Sequence, residues 1–170
     1  MNALRRNRFS RPMACLALAA WAVAVAPPAR AVNCTGTTTA ADFGSYDVFA
    51  AAADTTTGTI VVTCAKEVGD PASVSVSYTI GAATGSSNSY ATRTMKNGTN
   101  SLTYNVYTNA NFTRIWGDGS SPTFLYSGSF SLTSAAPSKN RTHTTFGRAP
   151  ALQDVAVGTY NDNLLITITF

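Results

Sequence analysis

Few side chains in this 170-residue sequence could support acid–base, nucleophilic or metal chemistry. After residue 31 the sequence holds one histidine, one glutamate, seven aspartates and two cysteines. We expect His143, in the polar stretch 141–145, to be exposed and without a partner. Most of the aspartates neighbour Gly, Ser, Thr or Asn, which is typical of turn caps. We therefore predict that the protein is not an enzyme and has no metal or cofactor site, with a hydrolase using His143 and Asp118 as the disfavoured alternative.

Cys34 and Cys64 are separated by 30 positions and are the two cysteines that follow residue 31. In an oxidising compartment such a pair forms a disulfide, which stabilises the fold by about 3 to 4 kcal/mol for a loop of this length in the chain-entropy model. A structural zinc site is disfavoured because it needs four ligands, whereas two thiols and one histidine supply three.

The first 31 residues have the pattern of a secretory signal peptide. A basic stretch over residues 1–11 precedes an apolar run over residues 13–26, and the small-residue site Ala29-Arg30-Ala31 follows. The apolar run is shorter than the roughly 20 residues that a membrane-spanning helix needs. We predict cleavage after Ala31, one mature domain over residues 32–170, and no integral membrane segment after cleavage.

Cleavage would also change the net charge of the protein. The whole chain has twelve basic and eight acidic side chains, a formal net charge of +4. Five of the basic residues and none of the acidic ones lie within residues 1–31, so residues 32–170 carry seven against eight, a net charge of −1. Affinity for nucleic acid depends on clustered Lys and Arg, so we predict no nucleic-acid partner.

The elements that carry these residues are predicted to be β-strands. From residue 73 to residue 80 small hydroxyl residues alternate with apolar ones, which places one face of a strand in a core. Residues 58–64, 102–108 and 123–132 have similar patterns, and Asn97-Gly98 is a typical hairpin turn. Residues 46–54 could form one short helical turn. Six or seven strands in this length predict an all-β, immunoglobulin-like sandwich, with a small closed barrel as the alternative.

The last segment, residues 160–170, is the most regular apolar strand, and the sequence ends on it. One face carries Leu164, Ile166, Ile168 and Phe170. With no later segment to pair with it, the free side of this strand needs either an earlier strand of the same chain or a strand from another protein. An unpaired apolar edge promotes aggregation.

Several stretches together resemble one family, the spore coat protein U domain proteins, which are secreted subunits similar to those of archaic chaperone-usher pili. The resemblance covers residues 32–170. It is carried by Cys34 with residues 43–47 (Phe-Gly-Ser-Tyr-Asp), residues 58–64 (Gly-Thr-Ile-Val-Val-Thr-Cys), Arg93 with Met95, residues 102–108, residues 116–119 (Trp-Gly-Asp-Gly), residues 146–148 (Phe-Gly-Arg), and residues 158–170.

The resemblance implies an incomplete sandwich that lacks its last strand. A periplasmic chaperone would lend a strand, an outer-membrane usher would receive the subunit, and the next pilus subunit would supply the missing strand on the cell surface. The donor-strand groove would be lined by Leu164, Ile166, Ile168 and Phe170 on one side, with part of the Cys34 segment on the other. The implied function is a structural or adhesive pilus subunit involved in adhesion or biofilm formation.

The sequence departs from the family pattern before its first mature cysteine. Major subunits carry an N-terminal extension that is donated to a neighbour, whereas only Val32 and Asn33 precede Cys34. This departure predicts a terminal position in the fibre, such as a tip subunit.

The alternative function is a self-complete secreted sandwich that binds carbohydrate or coats a surface. Tyr90, Phe112 and Trp116 are loop aromatics that could contact such a ligand, although packing is the commoner role of such residues.

Overall fold

The computed structural model describes residues 32–170. The predicted signal peptide lies outside the described residues. The described part is built from eight strands and one short 3₁₀ helix, Gly85–Ser87. The strands are β1 (Asn33–Thr39), β2 (Asp54–Ala65), β3 (Ser73–Ala82), β4 (Arg93–Asn97), β5 (Asn100–Tyr107), β6 (Tyr126–Thr133), β7 (Ser138–Ala149) and β8 (Ile166–Thr169).

The strands form two sheets. One has five strands in the order β1-β2-β7-β5-β4, and the other has three in the order β6-β3-β8. Every ladder between named strands is antiparallel. The predicted all-β sandwich is confirmed.

Alternation of residue types explains which strand faces are buried. In β3, Tyr78 and Ile80 are buried, whereas the intervening Ser77 and Thr79 are exposed. The long central strand β2 behaves in the same way. The two inner faces meet in one core. Its fully enclosed apolar side chains include Ile60, Val62, Tyr78, Ile80, Val106, Phe130 and Leu132.

The connections agree with the sequence in part. Asn97 and Asn100 close the β4–β5 hairpin, and Gly98 has the positive φ, 58°, that this turn requires. The helical turn predicted within residues 46–54 does not form, and that segment is an irregular turn before β2. Among the described residues we find no helix long and apolar enough to cross a membrane.

The sequence pattern also missed strands. The stretch that contains His143 is the middle of β7, a twelve-residue strand between β2 and β5. Because its outer face is polar, the sequence of β7 resembles that of a loop. Conversely, β8 begins only at Ile166, although the apolar pattern predicted a strand from residue 160. Part of the earlier segment instead bonds to the opposite sheet, where Asn161 and Lys96 exchange backbone hydrogen bonds of 3.0 and 2.8 Å.

Candidate functional site

The candidate site is the opening between β1 and β8, which we call the groove. The two strands lie at the edges of different sheets, with β1 bonded to β2 and β8 bonded to β3. Within residues 32–170 no further backbone hydrogen bond joins residues 33–39 or 166–170 to another segment. Each strand therefore presents a row of unpaired N–H and C=O groups on its free side.

The register of β1 defines which of its residues face the core. Cys34, Gly36 and Thr38 lie opposite Cys64, Val62 and Ile60 of β2, and those three partners are buried. Directly opposed residues of an antiparallel pair lie on the same face of the sheet. Gly36 and Thr38 therefore lie on the inner face, yet both are exposed. The inner face of β1 beyond Cys34 is therefore incompletely covered.

The other wall of the groove is the segment that ends the described chain. Leu164, Ile166 and Ile168 are partly buried and pack against the core. Phe170 is 53% exposed, and its ring centroid lies 6.2 Å from that of buried Tyr78. Leu165, on the outward face, is 72% exposed. The four residues predicted to share an inward face thus alternate with outward ones.

A buried arginine binds a residue next to this wall, Ala83, whose N–H donates to the carbonyl of Leu165 at 2.9 Å. Arg93, at the start of β4, is 0% exposed. Its guanidinium donates to Oδ1 of Asn105 at 2.7 Å and to the carbonyls of Ala83 and Trp116 at 2.9 and 2.8 Å. Burial lowers the pKa of Arg93, and the nearby Tyr104 is the largest of the interactions that oppose this shift. These hydrogen bonds tie β4, β5 and the segments that follow β3 and β5 together.

Asp162 anchors the approach to β8. One of its carboxylate oxygens accepts from the hydroxyl of Tyr104 at 2.7 Å, and the other accepts from the backbone N–H of Ser86 at 2.9 Å. Burial is the main cause that raises the pKa of Tyr104, followed by its hydrogen bond to this carboxylate. The phenol therefore stays a donor. Sequence reasoning missed this contact, although both residues belong to the family motifs.

The cysteines are joined as the sequence predicted. Cys34 and Cys64 form a disulfide between directly opposed positions of β1 and β2. The bond fixes the beginning of β1 to the end of β2. One wall of the groove is therefore attached covalently to the rest of its sheet.

His143 does not have the environment that we expected. It is half-buried, and its Nε2 lies 2.9 Å from the hydroxyl of Tyr78. The prediction of an exposed histidine without a partner is wrong, because β7 turns this side chain toward the other sheet. Burial lowers the pKa of His143, and the charge of Arg141 lowers it further.

The aspartate named with it, Asp118, has a local role. Its Oδ1 accepts from the hydroxyl and the backbone N–H of Ser120, and these bonds lower the pKa of Asp118 to about 2. Such bonds are typical of an aspartate that caps a turn. Within residues 32–170 no group of three or more His, Cys, Asp or Glu side chains is arranged to hold a metal ion.

The three loop aromatics have packing roles. Trp116 is 3% exposed and donates from Nε1 to the carbonyl of Ile80 at 3.1 Å. Phe112 is half-buried with its ring centroid 5.5 Å from that of Tyr107. The ring of Tyr90 lies 5.3 Å from the guanidinium carbon of Arg93.

One solved structure with a similar fold is the CsuC–CsuE chaperone–tip adhesion subunit pre-assembly complex from the archaic chaperone-usher Csu pili of Acinetobacter baumannii. The match to one of its chains has a TM-score of 0.54 at 15% sequence identity and covers 82% of this chain. This chain spans 40% of the length of that one. At this identity the likeness concerns the fold.

Among curated proteins, none matches the sequence. A family model does match it. The model describes the Spore Coat Protein U domain and aligns with residues 19–167, beginning inside the segment interpreted as a signal peptide. Since this match spans most of the sequence, the chain belongs to the Spore Coat Protein U domain family.

Proposed function

We propose that this protein is an exported, non-enzymatic subunit of a surface pilus of the chaperone-usher type. Its groove accepts a β-strand from another protein. A periplasmic chaperone supplies that strand during transit, an outer-membrane usher receives the subunit, and a neighbouring subunit supplies the strand in the fibre. Family membership and the two-sheet fold support this proposal.

The observation that carries the proposal is the exposed inner face of β1. Gly36 and Thr38 lie on the same face as the most buried residues of β2 but are themselves exposed. A strand in the groove would cover them, would contact Ile166 and Ile168, and would satisfy the free backbone groups of both edges. Strand addition of this kind derives affinity from main-chain hydrogen bonds and specificity from alternate side chains.

Export is part of the proposal. The segment 1–31 supplies the signal peptide, and residues 32–170 form the mature domain. The disulfide fits this route, because disulfides form in the periplasm and are rare in the cytosol.

The experiment that tests strand acceptance compares two substitutions on opposite faces of the same segment. Phe170→Asp places a carboxylate in the groove, at a position exposed enough to spare the core, whereas Leu165→Asp places one on the outward face. Each variant is expressed in the periplasm with and without the cognate chaperone. We expect the parent and Leu165→Asp to accumulate with the chaperone and to co-purify with it at equal stoichiometry, and Phe170→Asp to lose this complex.

The opposite result would identify a self-complete domain. In that case the parent would accumulate equally without the chaperone and would form no chaperone complex. If the chaperone bound both variants equally well, its contact with the subunit would lie outside the groove.

A further inference from the structure

Gly36 is a glycine in the middle of a regular strand. It is not among the glycines with positive φ, so its backbone conformation does not require glycine. Glycine weakens a strand interior, and it often marks a site where another group approaches the backbone closely. A group that approaches the backbone at this position should therefore explain why residue 36 is a glycine.

The approaching group is the side chain of Ile168 on the other wall of the groove. A methyl group added to Gly36 would overlap Cδ1 of Ile168 and would lie 3.7 Å from its Cγ1. The next nearest atom is the carbonyl oxygen of Val61, at 4.0 Å. We call this approach of Ile168 to the backbone of β1 the Gly36–Ile168 contact.

The contact limits the width of the groove. The added methyl would lie 3.7 Å from Cγ1 of Ile168. A methyl lies about 1.5 Å from its own Cα, and Cγ1 lies about 2.5 Å from the Cα of its isoleucine. The Cα atoms of Gly36 and Ile168 are therefore within about 8 Å of each other. A strand paired on both sides needs about 9.6 Å between its two neighbours, since paired strands lie about 4.8 Å apart. At this level the groove is too narrow for another strand.

We propose that the Gly36–Ile168 contact is an autoinhibitory closure: Ile168 fills the place of a donor side chain in the free subunit, and an incoming strand must displace it. This inference rests on the proposed function. Gly36 is then the residue that permits closure, because any side chain on it would exclude Cδ1 of Ile168. The closure covers part of the apolar wall before a partner arrives.

The test compares two forms of residues 32–170, both attached to the same solubility domain. One form is free, and the other carries a flexible linker and an appended strand of alternating threonine and valine. Gly36→Ala should lower the urea midpoint of the free form by about 1 M, because the added methyl overpacks the contact, and should leave the midpoint of the strand-appended form unchanged.

Ile168→Val supplies a matched rescue. It removes the one carbon that the methyl at position 36 would overlap, so the double variant should be no less stable in the free form than Ile168→Val alone. Ile166→Val is the control, because it lies on the same face of β8 and is absent from the atoms nearest to Gly36. In the free form, the losses of stability caused by Ile166→Val and by Gly36→Ala should simply add.

Methyl NMR gives a second readout. A nuclear Overhauser effect between the Cδ1 methyl of Ile168 and Hα of Gly36 should be present in the free form and absent from the strand-appended form. The proposed closure would be wrong if Gly36→Ala lowered the urea midpoint of both forms equally. It would also be wrong if the nuclear Overhauser effect persisted in the strand-appended form. If the appended strand fails to raise the urea midpoint of the parent, strand acceptance itself is wrong.

Discussion

Arg93 is a fully buried cation whose partners are an amide and two carbonyl groups. The sequence placed Arg93 in a family motif but gave no indication of this role, because its three acceptors come from three separate segments. A buried side chain of this kind positions backbone rather than acting on a ligand. It holds together the segments that carry β4, β5 and the end of β3.

We expect Arg93→Met to destabilise the strand-appended form by about 3 to 5 kcal/mol, since it leaves buried acceptors without a donor. Arg114→Met is the control, because Arg114 is exposed and its guanidinium carbon lies 4.3 Å from the ring centroid of Phe124. That change should cost about 1 kcal/mol or less. Urea denaturation measures both, and equal losses would contradict a structural role for the Arg93 network.

Other individual residues were easier or harder to predict for physical reasons. The Cys34–Cys64 disulfide followed from the predicted export and from the two cysteines that come after residue 31. The burial of His143 did not, because a strand with a polar outer face resembles a loop in sequence. The role of Gly36 could not be predicted from the sequence, because it depends on contact with a side chain 132 positions later, Ile168.

At the scale of the elements, β1 is an edge strand. It bonds to β2 alone, and most of its residues are exposed. The disulfide at its beginning adds a covalent link to its ladder with β2. The groove needs this strand in place, because β1 forms one of its two walls.

Replacing both cysteines, Cys34→Ser with Cys64→Ser, should lower the free energy of unfolding by about 3 to 4 kcal/mol for a separation of 30 residues. The measurement is urea denaturation of the strand-appended form. The parent treated with a reductant serves as the control and should match the double variant. A parent that keeps its stability after complete reduction would contradict the assigned role.

Strand prediction succeeded where one face is buried and the other is in water. Residues 73–80 alternate cleanly, and β3 begins at Ser73 as predicted and extends two residues further. Residues 160–165 were predicted to belong to the last strand, yet this segment is not part of a named strand. The hydrogen bonds of Asp162 and Asn161 hold it elsewhere. Such long-range partners cannot be derived from local alternation.

At the scale of the whole molecule, the sandwich was predictable because its strands have regular alternation and its turns have typical residues. The inward face of the last segment was evident from its alternation, whereas the pairing of β8 with β3 was not. We propose a terminal position in the fibre and a role in adhesion and biofilm formation.

Immunogold labelling of this protein on intact cells tests its position in the fibre. We expect label at fibre ends, and a deletion strain should lose biofilm while the expression of the other subunits is unchanged. Restoring the parent gene on a plasmid is the control. Label distributed along the fibres would identify an internal subunit and would overturn the terminal assignment.

The disulfide also has a mechanical consequence. In the proposed fibre under tension, a donor strand would pull on β1 and β8 together. Hydrogen bonds alone would allow β1 to peel from β2 one pair at a time, beginning at either end. The covalent bond between Cys34 and Cys64 closes one of those ends, so peeling from there would require breaking a sulfur–sulfur bond. In the proposed fibre, the disulfide would therefore protect the subunit against peeling that begins at the Cys34 end of β1.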